Sequence, residues 1–478
     1  MLLLTKPVPS TLRQLLVIAA AGIVAAVASA PAAGEMSLDP AERYSLDNGL
    51  TVILQRDTRV PEVAVWMAVH VGARDEPTGY AGLAHMVEHM LFRESTHTGR
   101  LGISGILATI GAEGMNGTTS DDVTSYFYVI PAHKLPQALW IEAERLAFTL
   151  PAMSEATFAV EREVVLNERR ERGLTGRANV RDILYRSIYP ESHIYHAVAS
   201  EATDEEAFTL DHVRWFVQRW YRPDNATLTL VGDFDVTRVK QTIERYFGDI
   251  RPRGARPERA AVDPVELVGQ AQLFVSVPRL RPLVTITWNV PCEGDACGGG
   301  LVLLREILAG DDAARLPMAL VDRAGIASDV AMSIDRRGSH ALVSIGIEVT
   351  AGEVPRRCVA AVDEVIAEIQ SQAPTQERLV AARLGLATSV IAAFEPVLPR
   401  AQALSEESDV SGADVLYDPE ALLDTLRDIT PEDISDLARR TLPLDRRVVL
   451  YEQPNRSEES SGRLVRQIGS ARGAEDRP

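Results

Sequence analysis

The stretch Gly82-Leu83-Ala84-His85-Met86-Val87-Glu88-His89-Met90 can be laid on Gly300-Leu301-Val302-Leu303-Leu304-Arg305-Glu306-Ile307-Leu308 without a gap. Glycine, leucine and glutamate coincide, while the two histidines become Leu303 and Ile307. Both stretches have helical spacing of apolar residues. Working outward, the surroundings repeat as well. Before the first copy, Tyr44-Ser45-Leu46 leads through the tight-turn signal Asp47-Asn48-Gly49 into Thr51-Val52-Ile53-Leu54, and another strand runs from Val63 to Val71. Before the second, strands are expected at Gln272–Val277 and Leu283–Val290. The repeated order of elements predicts a duplicated chain of two similar halves. Further helices are expected from Leu135 to Phe148 and from Ser154 to Glu171, and a strand from Ala226 to Val231.

The domain boundaries follow from composition. Residues 31–250 form the first domain. Residues 251–268, rich in Pro, Arg and small residues, read as a linker. Residues 269–455 form the second domain, and the polar stretch 456–478 is expected to be a disordered tail. Residues 1–30 carry Lys6 and Arg13 ahead of the apolar run Leu15–Ala30, which closes on Ala28-Ser29-Ala30. That is the pattern of a secretory signal peptide, with export to the periplasm or the medium expected and an uncleaved membrane anchor the alternative. The run falls short of the ~20 residues that span a bilayer, so no stable membrane span is expected after cleavage.

The 478 residues are 46% hydrophobic and 24% charged, which excludes wholesale disorder. A formal charge of −18, from 49 Lys and Arg against 67 Asp and Glu, argues against nucleic-acid binding, which needs a cationic face. Three cysteines exclude a disulfide scaffold. Cys292 and Cys297 bracket a short loop and either pair on export or stay reduced; Cys358 stays single.

The chemistry concentrates in the first copy. His85 and His89, four apart, project from one helix face and suit two imidazole nitrogens on one Zn²⁺. Glu88 lies beside them, placed to take a proton from a water whose pKa the metal lowers toward ~7. The order His-x-x-Glu-His is that of the inverted-motif zinc enzymes. A catalytic zinc also needs a third protein ligand. Glu161 and Glu168, two turns apart on the next helix, share a face; Glu168 is the candidate ligand and Glu161 the candidate orienting group behind it.

These segments, together with Leu46-Asp47-Asn48-Gly49-Leu50, Ile429-Thr430-Pro431-Glu432-Asp433 and Leu442 to Pro454, resemble the pitrilysin/insulinase family of zinc peptidases. The likeness is to the shorter bacterial and mitochondrial-processing-type members. The resemblance implies zinc bound by His85, His89 and Glu168, Glu88 as general base, and Glu161 as a supporting carboxylate. It also implies that Asn116, in Gly114-Met115-Asn116-Gly117-Thr118-Thr119, contacts the substrate backbone; by itself Asn116 reads as a turn residue. The resemblance implies an α+β fold: two related domains, each an antiparallel sheet with helices on one side. It further implies that two such chains enclose a chamber, with peptide added as a strand to a sheet edge near the zinc.

One departure from the family pattern matters. An arginine and, seven residues later, a tyrosine usually bind substrate from the second domain. Aligning Gly325-Ile326-Ala327 places Val321 and Ser328 at those positions, and Arg323 is two residues off. The expectation is therefore an exported zinc metalloendopeptidase subunit acting on peptides or unfolded segments. A homologous partner carrying the Arg/Tyr pair would complete it. The alternative is a non-catalytic assembly or scaffold subunit that keeps the fold.

Overall fold

The structure, a computed structural model, describes residues 39–174, 177–198, 208–260, 262, 265–292, 298–337, 339–411, 419–454 and 465–468. The expected signal peptide lies outside them. Among the described residues no single helix is long and apolar enough to cross a membrane.

The first sheet contains β1 (Glu42–Ser45), β2 (Thr51–Arg56), β3 (Glu62–Val69), β4 (Glu113–Thr119), β5 (Thr124–Pro131) and β6 (Ala226–Gly232), in the order β1-β2-β6-β3-β5-β4. The second contains β7 (Gln270–Val277), β8 (Leu283–Pro291), β9 (Ala327–Arg337), β10 (His340–Val349), β11 (Arg447–Pro454) and β12 (Val465–Ile468), in the order β12-β7-β11-β8-β10-β9. Strand for strand the two sheets have one plan. Both are antiparallel except for one parallel pair each, β2 with β6 and β7 with β11. The Asn48-Gly49 turn forms between β1 and β2, with Gly49 at φ 90° and its N–H on the Leu46 carbonyl. The small residue is required twice over, because a Cβ there would lie 2.6 Å from that of Asp224.

The tail needs correction in one place. Residues 465–468, expected to be disordered, form β12 and pair with the outer edge of β7. That edge would otherwise expose unpaired backbone groups, and β1 covers the corresponding edge of β2 in the first half. Between Phe247 and Gln270 the described residues carry no helix or strand, yet they are not loose. Arg259 ion-pairs with Asp75 at 2.9 Å, and Arg222 donates to the carbonyls of Arg253, Gly254 and Ala255. Cys358 is a free, buried thiol and Cys292 is disulfide-bonded; Cys297, the candidate partner, lies outside the described residues.

Seven helices matter for the site: α1 (Leu83–Met90), α2 (Leu135–Ala147), α3 (Glu155–Leu174), α4 (Arg177–Ile188), α5 (Gly299–Ala309), α6 (Gln376–Phe394) and α7 (Val397–Ser411). One face of each sheet carries helices of its own half, building the two large cores. The opposite faces are covered by exchange. From the second half, α7 lays Val397, Ala401 and Leu404 on Ile53, Ala64, Trp66 and Val231 of the first sheet. From the first half, α4 and the residues after it lay Tyr185, Ile188, Tyr189 and Tyr195 on Leu273, Val275, Val448 and Leu450 of the second. Buried charges lock the exchange. Arg400 of α7 pairs with Asp57, and Arg337 of β9 pairs with Asp121 at 2.5 Å.

Candidate metal centre

Helix α1 begins at Gly82, whose φ of 96° is left-handed backbone that glycine adopts without strain. Glycine has no side chain to cap the exposed N–H groups, and Glu76 takes that role from outside the helix. Its carboxylate accepts from the Gly82 N–H at 2.9 Å and the Ala84 N–H at 2.7 Å. Leu83, Met86, Val87 and Met90 repeat at helical spacing and are all buried in the first core. Their burial turns His85 and His89 toward α3, while Glu88 meets β4.

From α3 comes Glu168. One donor atom each from His85, His89 and Glu168 falls within 4.8 Å of the others. His85 Nε2 lies 3.5 Å from Glu168 Oε2, and His89 Nε2 lies 3.6 Å from Glu168 Oε1. Those separations are long for good hydrogen bonds. They match the roughly 3.4 Å edge of a tetrahedron whose bonds are ~2.1 Å, the zinc–nitrogen and zinc–oxygen value. The donor set therefore fits a small, four-coordinate cation with one position left open.

Behind the ligands, Glu161 Oε2 lies 3.4 Å from His89 Nδ1, and its other oxygen is held by Arg93. With Nδ1 donating to Glu161, Nε2 of His89 keeps its lone pair for a metal. Burial alone would lower the His89 pKa. The hydrogen bond that His89 donates to Glu161 and the charges of Glu168, Glu88 and Glu161 outweigh it and raise the pKa. A field that favours positive charge at this point also favours a divalent cation.

Glu88 is 7% exposed, and its Oε2 accepts the Thr119 hydroxyl of β4 at 2.6 Å. Asn116 lies on the same strand, exposed, with its Oδ1 accepting the Gly117 N–H. Among the described residues β4 pairs only with β5, so its other edge is open beside Glu88. The structure thus brings His85, Glu88, His89, Glu161 and Glu168 together and places Asn116 on the adjoining strand. Sequence reasoning missed Glu76, Arg93 and Thr119. Nothing in the local pattern marks the first two, and Thr119 is indicated only by its place on a strand ending near the motif helix.

Val321 and Ser328 stand at the positions where the resemblance led an arginine and a tyrosine to be expected. Val321, in the π-helical turn Met318–Arg323, packs against the second core. Ser328, exposed on β9, donates to the Glu348 carbonyl at 3.4 Å.

Comparison with known proteins shows the family of the chain. Residues 51–199 match the family model of insulinase (peptidase family M16), and residues 207–386 match that of the peptidase M16 inactive domain. An uncharacterised zinc protease of Streptomyces coelicolor is 25% identical over 283 residues, 56% of this chain and 61% of that protein. Zinc protease PqqE of Helicobacter pylori is 30% identical over 217 residues, 44% of this chain and 47% of that protein. The matched stretches thus span between about half and three-fifths of those relatives. Among solved structures, a protease from Helicobacter pylori superimposes with a TM-score of 0.79 at 21% identity, covering 87% of this chain and 100% of that one. The periplasmic protease PqqL of Escherichia coli gives 0.69 at 18% identity, covering 88% of this chain but 48% of that one. The chain belongs to the insulinase family of M16 peptidases, and its fold is that of the two-domain M16-like proteins.

Proposed function

We propose that this chain is the catalytic subunit of an exported zinc endopeptidase that cleaves peptides or unfolded protein segments. The observation that carries the proposal is the convergence of His85, His89 and Glu168 on one point with Glu88 beside them. Relatives named zinc proteases support zinc as the metal. When bound, zinc supplies Lewis acidity that activates water and polarises the scissile carbonyl. His85, His89 and Glu168 hold the ion, and Glu161 keeps His89 in the right tautomer. Glu88 accepts the proton of the attacking water and returns it to the leaving amine. The open edge of β4 pairs with extended substrate, which selects unfolded chains over globular ones; Asn116 contacts the backbone of that strand.

A partner chain of the same fold supplies the donors that Val321 and Ser328 lack. PqqL, of which this chain matches about half, supports a paired arrangement. The N-terminal apolar run supports export.

The test is metal analysis of the purified chain together with hydrolysis of an unstructured fluorogenic peptide. One zinc per chain, lost in His89→Ala along with hydrolysis, is expected. A chain that binds no zinc would be a scaffold.

A further inference from the structure

We propose that Thr119 is a positioning residue for Glu88, holding one carboxylate oxygen so that the other receives the proton. The proposal rests on the reading of Glu88 as the base. The Thr119 hydroxyl donates to Glu88 Oε2 at 2.6 Å, within the range of O–H···O⁻ bonds. A hydroxyl has one proton to give, and here it is committed to Oε2. Oε1 is the oxygen to which the proposal gives proton transfer. That oxygen takes a proton as the water oxygen bonds to the carbonyl carbon, and releases it to the nitrogen as the C–N bond breaks. Thr119 exchanges no proton in the cycle.

The backbone of β4 defines the carboxylate's place from a second direction. At Gly117, two residues before Thr119, a Cβ would lie 2.8 Å from Glu88 Oε1 and 2.9 Å from its Cγ. The strand therefore lies flat against the carboxylate, and a larger residue would push it away. Thr119 itself is held firmly. It ends β4 opposite Thr124, and its branched Cβ limits χ1. The turn that follows is closed by the Ser120 N–H on the Val123 carbonyl at 2.9 Å. From outside, the Ala73 N–H and Arg74 N–H each reach that turn at 3.0 Å, on the Ser120 and Asp121 carbonyls. Gly72 packs so tightly there that a Cβ would meet the Ser120 oxygen at 2.5 Å. Asp121 also takes Arg337 from the second half and the Tyr185 hydroxyl from α4, at 2.5 and 2.7 Å. The hydroxyl is thus presented by a turn that both halves of the chain clamp.

The test compares Thr119→Val, which keeps the shape and removes the hydroxyl, with Thr119→Ser, which keeps the hydroxyl. Both are assayed on an unstructured fluorogenic peptide, in the composition, alone or with a partner chain, that gives the parent its highest rate. Thr119→Val should lower kcat on the order of 10–100-fold, the scale of a misplaced catalytic group. KM and zinc content should stay at parent values, and Thr119→Ser should restore most of kcat. A parent-like kcat in Thr119→Val, or an equal loss in Thr119→Ser, overturns the proposal. A cycle of thermal midpoints over Thr119→Val, Glu88→Gln and the double variant reads the contact without turnover. A double shift smaller than the sum of the single shifts is expected, and additivity overturns the proposal. Full activity in Glu88→Gln would instead overturn the reading of Glu88 as base, whatever the cycle shows.

Discussion

Helices α1 and α5 occupy equivalent places in the two halves and do opposite things. At the positions of His85 and His89, α5 carries Leu303 and Ile307, both fully buried. The helix packed on α5 is α6, whose Leu379, Ala382, Leu386 and Val390 are buried in the same core. The helix packed on α1 is α3, which brings Glu161 and Glu168. One helix pair is closed by apolar contact. The other keeps carboxylates and imidazoles together at a cost in desolvation that only mutual pairing or a bound cation offsets. Even the shared glutamate differs: Glu306 pairs with its neighbour Arg305, while Glu88 meets a hydroxyl on the strand edge. The same scaffold thus buries apolar side chains in one half and gathers a set of metal-binding donors in the other.

The comparison is broken most severely by Glu88→Gln. The ligands remain, so zinc should stay bound, but an amide cannot accept the water's proton and hydrolysis should fall ~10²–10⁴-fold. Turnover with zinc content measured on the same sample checks this. Next comes the Arg/Tyr pair proposed to come from a partner chain. Donors to a developing oxyanion are worth ~10²–10³-fold, so the isolated chain should be feeble and a partner with the Arg/Tyr pair should raise its rate by that order. Full activity from the chain alone would show that another group supplies the donors.

Leu303→Ala sharpens the contrast from the second half. Opening a cavity under α5 should destabilise the chain by about 2–5 kcal/mol, read by denaturant unfolding, with zinc content unchanged. Within the site, Glu161→Gln should weaken zinc by roughly 10–100-fold, less than Glu168→Gln, because it acts on the metal only through His89. The reverse order in a competitive chelator titration would exchange the roles of the two glutamates.

The smallest effect concerns the junction between halves. His340 of β10 is fully buried with its Nε2 at the Tyr189 hydroxyl, 2.9 Å away. Burial, then the charges of Arg337 and His193, push its pKa down to about 4. An unfolded histidine titrates near ~6.5, so the unfolded chain binds the extra proton first as the pH falls. This contribution to stability is present above ~6.5 and is lost on acidification toward about 4. His340→Gln should flatten the pH dependence of the thermal midpoint in that window. An unchanged slope would locate the acid sensitivity elsewhere.

Much of this was legible along the chain. The strands read at 51–56, 63–71, 226–231, 272–277 and 283–290 come from β-branched runs between turn signals, and the structure has them within two residues at each end. Helix α1 and its three polar positions follow from 3.6-residue spacing. Glu168 was legible because a catalytic zinc needs a third ligand and α3 offers two glutamates on one face. Less legible were contacts that helix and strand periodicity does not encode, most of them across long separations. Glu76 caps α1 through two N–H groups that no local pattern names. Thr119 meets Glu88 only because β4 lies beside α1. The exchange of α4 and α7 between the sheets was hidden for the same reason, since an amphipathic helix does not state whose sheet it covers.

By itself, then, the sequence determined the duplication, the element types and the donor set, because periodicity and ligand chemistry are local properties. Tertiary structure decided which glutamate meets which imidazole nitrogen, which hydroxyl holds the base and which half covers which sheet. Those are distances between residues tens to hundreds of positions apart, and only packing of the whole chain determines them.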